Sequence, residues 1–356
     1  MAATMKDIAR RTGLGLATIS SYLNGGNVRE KNRIKIEQAI EELHYEVNEV
    51  ARGLRTDATR TIGVVIPELN SVFCSEIITG MEDILRGGGY ATIVCDCRSN
   101  AELEKEAIDF LTRKRVDGLV IMPTDMEGKN LTEFLRTGKP LILIDRVIQG
   151  VDCDSVLVDN RKAAFDAVSY LIAKGHTDIG FIGGPRNVFT SHERLNGYAE
   201  AHRKAGIAVQ ESLIVHGDYT IRSGVEGIQR LVKLNPHMTA VFVTNYEMTM
   251  GAVIALNELG IRMHDDISLV GFDNLEFARA CSPALTIVVQ PTAKIGEEVA
   301  GLMLKRVGDP EGSRIHMRLE TELIKGNSVG RRTAGLAPRD ANFDGDKNEK
   351  TIFTGN

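Results

Sequence analysis

Thr4-Met5-Lys6-Asp7-Ile8-Ala9-Arg10-Arg11-Thr12-Gly13-Leu14-Gly15-Leu16-Ala17-Thr18-Ile19-Ser20-Ser21-Tyr22-Leu23-Asn24 decides how this chain is read, because it holds two short helical patterns on either side of a glycine turn. Thr4 followed three residues later by Asp7 has the form of a capping box, which starts a first helix near Met5. Ile8 and Ala9 are its expected buried positions. Gly13 can take the left-handed conformation that ends a helix sharply. A second helix runs from Leu16 or Ala17 to Leu23, with Ile19 and Leu23 four apart on the face that packs against the first. Leu16, Ala17, Ser20 and Ser21 lie off that face and are free to enter a major groove. Ile36, Ala39, Ile40 and Leu43 then fall at the i, i+3, i+4, i+7 positions of an amphipathic third helix. Three helices so spaced predict a helix-turn-helix domain over residues 1–46.

A bare pattern of this kind also occurs in unrelated three-helix modules, so charge has to help. Residues 1–35 carry seven Lys/Arg against two acids, whereas the whole chain has a net charge of −5. A basic end on an acidic protein suits contact with phosphates. Part of the run Arg29, Lys31, Arg33, Lys35 can equally be a solvated helix face.

Residues 47–60 form a connecting segment. Asn48 can cap a short helix running to about Arg55, but one or two turns containing Gly53 do not hold in water unless docked. Leu54, flanked by Arg52 and Arg55, fits a leucine wedged into a minor groove with arginines on the phosphates. The alternative is a polar linker whose Leu54 packs on the body.

Length allows a small head and one large two-part body. From residue 61 short apolar strands alternate with helices. Strands are expected at 61–67, 91–96, 118–123 and 140–145, with helices over 75–86 and 102–113. A second series follows Asn160: helices over 161–174, 191–205, 222–233 and 247–259, strands at 178–182, 212–216, 240–243 and 267–272. This rhythm predicts α/β architecture, with parallel, doubly wound sheets covered on both faces. Two such series imply two lobes, about 61–159 with 291–319 and 160–290 with 320–334. The chain would cross between them near Gln290-Pro291 and again around 315–324. Ligands of open α/β sheets sit beyond the carboxyl ends of the strands. The polar residues there are Asp145, Arg146, Asp159, Asn160, Thr190, Arg194, Asn245 and Asp273, and Phe73 offers an apolar face. Carboxylates and amides bind vicinal hydroxyls, and arginine forks onto a hydroxyl pair or a carboxylate. Arg146 and Arg194 facing one cleft would favour a sugar acid or a phosphate.

Head, connector and body together resemble the LacI/GalR family of bacterial transcription regulators, up to about residue 330. The resemblance implies a helix-turn-helix head, a hinge helix that orders on the operator, and a two-lobed body like a periplasmic binding protein. It implies a homodimer on a pseudo-palindromic double-stranded DNA operator, controlled by a sugar or sugar derivative. It carries DNA contacts onto Thr4, Met5, Leu16, Ala17, Ser20, Ser21, Asn24 and Asn32, and hinge contacts onto Asn48, Ala51, Leu54 and Arg55. It carries ligand contacts onto Asp145, Thr190, Arg194, Asn245 and Asp273. Gly15 stands where the family usually has a capping serine, Ser21 where most members have arginine, Val47 where they have proline, and Tyr246 where they have aspartate. Direct base readout would then rest on apolar and hydroxyl contacts.

No dinucleotide fingerprint, Walker loop or zinc-protease motif occurs, so no cofactor is expected. Cysteines 74, 95, 97, 153 and 281 lack metal spacing and read as buried free thiols, with no metal site. There is no signal peptide and no membrane-length apolar run, so a cytoplasmic protein without a membrane partner is expected. Residues 335–356 are polar and turn-rich, the composition of a disordered tail without heptads. Two other readings remain open. A sugar-binding transport receptor would need an export signal and no head. An α/β enzyme acting on sugars would need an acid–base pair or a cofactor loop.

Overall fold

Asp7 does in space what its distance from Thr4 suggests. In the computed structural model, which describes residues 3–23, 25–45 and 58–332, its Oδ2 accepts from the Thr4 hydroxyl at 2.6 Å and the Thr4 N–H at 2.9 Å. Those two bonds hold the Asp7 carboxyl below its ordinary range. Helix α1 (Met5–Thr12) ends at Gly13, whose φ of 70° lets its N–H reach the Ala9 carbonyl at 2.9 Å. Helices α2 (Leu16–Leu23) and α3 (Glu30–Glu42) follow. Ile8, Ile19, Ile36 and Ala39 are buried at the centre. Ala9, expected inside, is only half-buried beside them, as are Leu23, Ile40 and Leu43, because three short helices enclose little interior. Polar links close the bundle: Arg11 Nε donates to Glu42 at 2.7 Å and the Tyr22 hydroxyl to Glu37 at 3.0 Å.

The body holds two six-stranded sheets. The first contains β1 (Thr61–Ile66), β2 (Ala91–Asp96), β3 (Gly118–Ile121), β4 (Leu141–Ile144), β5 (Asp154–Val158) and β11 (His316–Leu319), in the order β11-β5-β4-β3-β1-β2. The second contains β6 (Ile179–Gly183), β7 (Ile214–His216), β8 (Ala240–Val243), β9 (Ser268–Phe272), β10 (Thr286–Val289) and β12 (Glu322–Ile324), in the order β12-β10-β9-β8-β6-β7. All pairings are parallel except β10 with β12. Helices α4 (Val72–Gly87), α5 (Ala101–Arg113) and α6 (Thr132–Leu135) belong with the first sheet. Helices α7 (Asn160–Ala173), α8 (Phe189–Lys204), α9 (Ile221–Leu234), α10 (Tyr246–Glu258) and α11 (Leu275–Ala280) belong with the second. Helix α12 (Thr292–Gly308) returns to pack on α4. Apolar side chains fill both faces of each sheet, which is why the strands read as unbroken apolar runs.

The chain passes between the sheets three times: after β5, after β10, and between β11 and β12. Strand β5, helix α12 and strand β10 are elements that the sequence pattern did not announce. The stretch expected as one strand at 315–324 is two short ones, one in each sheet, because the chain changes sheets between them. The first and third crossings are bonded to each other, the Asp159 N–H donating to the Leu319 carbonyl at 3.0 Å. The first sheet also holds the start of the body: Asp117 accepts from the N–H groups of Thr59 at 2.9 Å and Arg60 at 2.8 Å. The segment arriving from the head is therefore tied to the first lobe.

One buried ion pair locks α12 to β5. Arg306 donates from Nε and Nη2 to the two oxygens of Asp154, both at 2.7 Å, with both side chains 2% exposed. The Ile315 N–H gives Asp154 a further bond at 2.7 Å. The five cysteines are free thiols, but only Cys74, Cys97 and Cys153 are buried; Cys95 and Cys281 are half-buried, since neither side chain is fully covered by its sheet or helix. The expected tail lies outside the described residues.

Candidate functional site

Strands β4 and β9 hold the same place in their two sheets, and each ends in an aspartate with left-handed backbone. Asp145 has φ 66° and Asp273 φ 62°, a conformation that aspartate tolerates better than most residues. Each turns its N–H onto the neighbouring strand, Asp145 to the Val156 carbonyl at 3.2 Å and Asp273 to that of Val288 at 2.7 Å. The two carboxylates are thus brought by equivalent turns to one cleft between the lobes, of about 540 Å³. That volume suits a small polar ligand.

All six residues expected at the ligand, Phe73, Asp145, Thr190, Arg194, Asn245 and Asp273, line this cleft. Arg194 is 4% exposed and held from several sides. Its Nε donates to Asn160 Oδ1 at 2.8 Å, its Nη1 to the Thr244 carbonyl, and its guanidinium lies 3.9 Å over the Phe272 ring. Nη2 is the donor left for a ligand. Asp273 is packed round by protein although the cleft reaches part of its surface. Desolvation pushes its carboxyl up to about 7, against the opposing pull of Arg194 and of a 2.8 Å bond from Gln290. Arg146 pairs with Asp145 at 3.1 Å and donates to the Pro123 carbonyl at 3.0 Å. The Thr190 hydroxyl sits 3.3 Å from that of Tyr219. Asn245 also has a structural duty, its Oδ1 capping α10 through the Met248 N–H at 3.0 Å.

Two other candidates turn away from ligand duty. Asp159 caps α7, accepting from the Lys162 N–H at 3.0 Å, and Asn160 is buried behind Arg194. Neither is on the cleft wall: Asp159 spends its carboxylate on the helix cap at the surface, and Asn160 is turned inward. Sequence reasoning missed Glu68, Asp218, Tyr219 and Glu247, which stand on the wall, and saw Gln290 only as part of a crossing. Tyr246 is on the wall as well, edge-on to Phe277 at 5.6 Å. Gly184 leaves room beneath Tyr219, whose ring would have to shift if a Cβ stood 2.0 Å from it.

On the head, Leu16 is 45% exposed and Ala17 is exposed, as expected of a face left for a groove. Thr4 is exposed; Met5, Ser20, Ser21 and Asn32 are half-buried. Arg10, Arg11 and Arg33 have carboxylate partners within the head. Among the described residues none pairs with Lys6, Arg29, Lys31 or Lys35, which leaves four cations for phosphates. Asn24, Asn48, Ala51, Leu54 and Arg55 lie outside the described residues.

A head of this shape on a body of this shape has counterparts. Residues 4–48 match the sequence pattern of bacterial regulatory proteins of the lacI family, and residues 59–325 match that of periplasmic binding proteins and the sugar-binding domain of the LacI family. The chain belongs to the lacI family of bacterial regulatory proteins. It is 34% identical over 325 residues to the HTH-type transcriptional repressor CytR of Escherichia coli strain K12, covering 91% of this chain and 95% of that protein. The lac repressor dimer bound to operator and the anti-inducer ONPF superposes with a TM-score of 0.83 at 27% identity, over 92% of this chain and 99% of that one. The CelR–cellobiose complex superposes with a TM-score of 0.70 at 29% identity, over 92% and 99%. Family membership makes this chain a transcription regulator.

In this lacI-family chain the raised Asp273 carboxyl gives a pH test. A folded-state value above the unfolded one contributes stability that is complete below about pH 4 and lost as pH rises through about 7. Asp273→Asn should therefore flatten the fall in melting temperature between pH 4.5 and 7.5, measured side by side with the wild type without ligand. Equal slopes for the two proteins would show that Asp273 does not titrate there.

Proposed function

We propose that the chain is an effector-controlled repressor that binds a pseudo-palindromic double-stranded operator as a homodimer in the cytoplasm, with a carbohydrate as effector and no enzymatic role. The observation that carries this is the tie between the two sites. The segment from the head is stapled by Asp117 to the first lobe, and the cleft opens between that lobe and the second. A ligand that closes the lobes around the three crossings changes the spacing of two heads in a dimer, by hinge motion. The operator-bound lac repressor dimer and the cellobiose complex of CelR support the partner and ligand class by analogy.

On the DNA side, Leu16 and Ala17 would meet base edges at the start of α2, with Ser20 and Ser21 beside them. Thr4, Met5, Ser20 and Asn24 would hold phosphates, Asn32 would make a further DNA contact, and Asn48, Ala51, Leu54 and Arg55 the hinge contacts. The absence of an arginine at Ser21 makes direct readout weak. Much of the affinity then comes from phosphates, with a log–log salt slope of about −0.9 for each one neutralised.

Gel shifts on duplexes from the protein's own regulatory region, at two salt concentrations and with candidate sugars, test the reading. Leu54→Ala should lower specific affinity by roughly ten- to a hundredfold, since each tenfold is about 1.4 kcal/mol and a lost wedge is worth a few. Its melting curve and sugar binding should stay at wild-type values. Unchanged operator affinity would place Leu54 in a linker instead.

A further inference from the structure

The cleft walls carry the wrong charge for an acidic ligand. Five carboxylates line them, from Glu68, Asp145, Asp218, Glu247 and Asp273, against the guanidinium groups of Arg146, Arg194 and Arg222. Of the three cations only Arg194 keeps a donor, Nη2, for the cleft. Arg146 is paired with Asp145, Arg194 is held by Asn160 and the Thr244 carbonyl beside Asp273, and Arg222 leans outward onto Glu226 at 2.7 Å. Glu68, Asp218 and Glu247 remain; the Thr220 N–H and hydroxyl both donate to Asp218 beside its own helix start, so Glu68 and Glu247 are left, one from each lobe. Neither has a basic partner in an ion pair among the described residues. Burial raises the Glu247 carboxyl, and the Glu68 charge raises it further.

A second, independent feature points the same way. Gln290 is 4% exposed, lines the cleft, and spends its Nε2 on Asp273 at 2.8 Å. Its Oε1 is buried with no hydrogen-bond partner. An unsatisfied buried acceptor costs about 1–3 kcal/mol, and only a donor can relieve it. Gln290 also lies where the chain crosses from β10 to α12, so a bond to it acts on the hinge itself.

We propose that the effector is a polyhydroxylated amine of the amino-sugar class, its ammonium answering Glu68 and Glu247 and one of its donors satisfying Gln290 Oε1. This rests on the reading of the cleft as a carbohydrate site. Phe73 and Tyr246 on the wall offer ring faces to the sugar and to its cation.

The test uses the intact protein at pH 7 and nine probes in matched sets: glucosamine, galactosamine and mannosamine, their neutral hexoses, and the corresponding uronates. Calorimetry should find one amine bound at least tenfold more tightly than its neutral twin, with the uronate weaker still. The double variant Glu68→Gln with Glu247→Gln, checked for a wild-type melting temperature, should cut that advantage to threefold or less. A variant that fails this check is replaced by Gln290→Leu, which should weaken the amine at least fivefold. A neutral hexose or uronate bound as tightly as the amine overturns the proposal and leaves the carbohydrate reading standing. So does an amine preference untouched by the variants. Silence from all nine contradicts both.

Discussion

Arg194→Ala abolishes the response to effector and leaves operator binding in place: this is the largest functional effect the structure predicts. Arg194 is buried, anchored through Nε and Nη1, and stacked over Phe272. It is therefore preorganised, and little entropy is lost when its last donor meets a ligand. A hydrogen bond to a charged group is worth about 1.5–3 kcal/mol. Loss of that bond, with the collapse of the wall it supports, should weaken effector binding by on the order of a hundredfold. The substitution also removes the cation beside Asp273, whose carboxyl then rises further. Arg194 sits on α8 in the second lobe, whereas Thr59, where the described body begins, is bonded to the first. Operator affinity without effector should stay within about threefold of wild type, a change below 1 kcal/mol. Anisotropy titrations of labelled duplex, with and without effector, measure both numbers.

Arg306→Ala should cost the fold about 3–5 kcal/mol, because it leaves Asp154 charged, buried and unpaired. For a body of this size that lowers the melting temperature by on the order of 10 °C. Both side chains are 2% exposed, so the pair is withdrawn from solvent in the folded protein. Replacing both partners by apolar residues, Arg306→Met with Asp154→Leu, should recover most of the loss, since no buried charge then remains. The Ile315 N–H would still lack its acceptor, so recovery should fall short by about 1–3 kcal/mol. A calorimetric scan of the three proteins decides this. A single variant as stable as wild type would mean that solvent reaches Asp154 after all.

The same pair explains what the sequence conceals. Asp7 and Gly13 act on neighbours a few residues away, so the head can be read from local pattern. Strand β5 begins with Asp154, and the buried face of α12 runs Ile295, Val299, Met303, Arg306. A charged residue at an interior position breaks the apolar pattern, and its partner lies 152 residues away. The cleft divides in the same manner. Asp145, Arg194 and Asp273 follow from the rule that ligands gather at the carboxyl ends of strands. Glu68, Tyr219 and Glu247 stand on loops and a helix start, and they face one site only because two lobes are apposed. The surroundings of the arginines, too, are invisible in sequence: Arg146 and Arg194 do line the cleft, yet Arg146 is paired with Asp145 and Arg194 lies beside Asp273.

Occupancy of the cleft is proposed to set the grip on DNA. The most direct measurement is the affinity of the intact protein for duplexes from its own regulatory region, titrated with the matched sugars at about 50 and 200 mM salt. Tight binding that weakens with salt is expected, shifted at least tenfold by one ligand in wild type and, at the same ligand concentration, not measurably in Arg194→Ala. No binding to any such duplex, or an equal shift in both proteins, would contradict it.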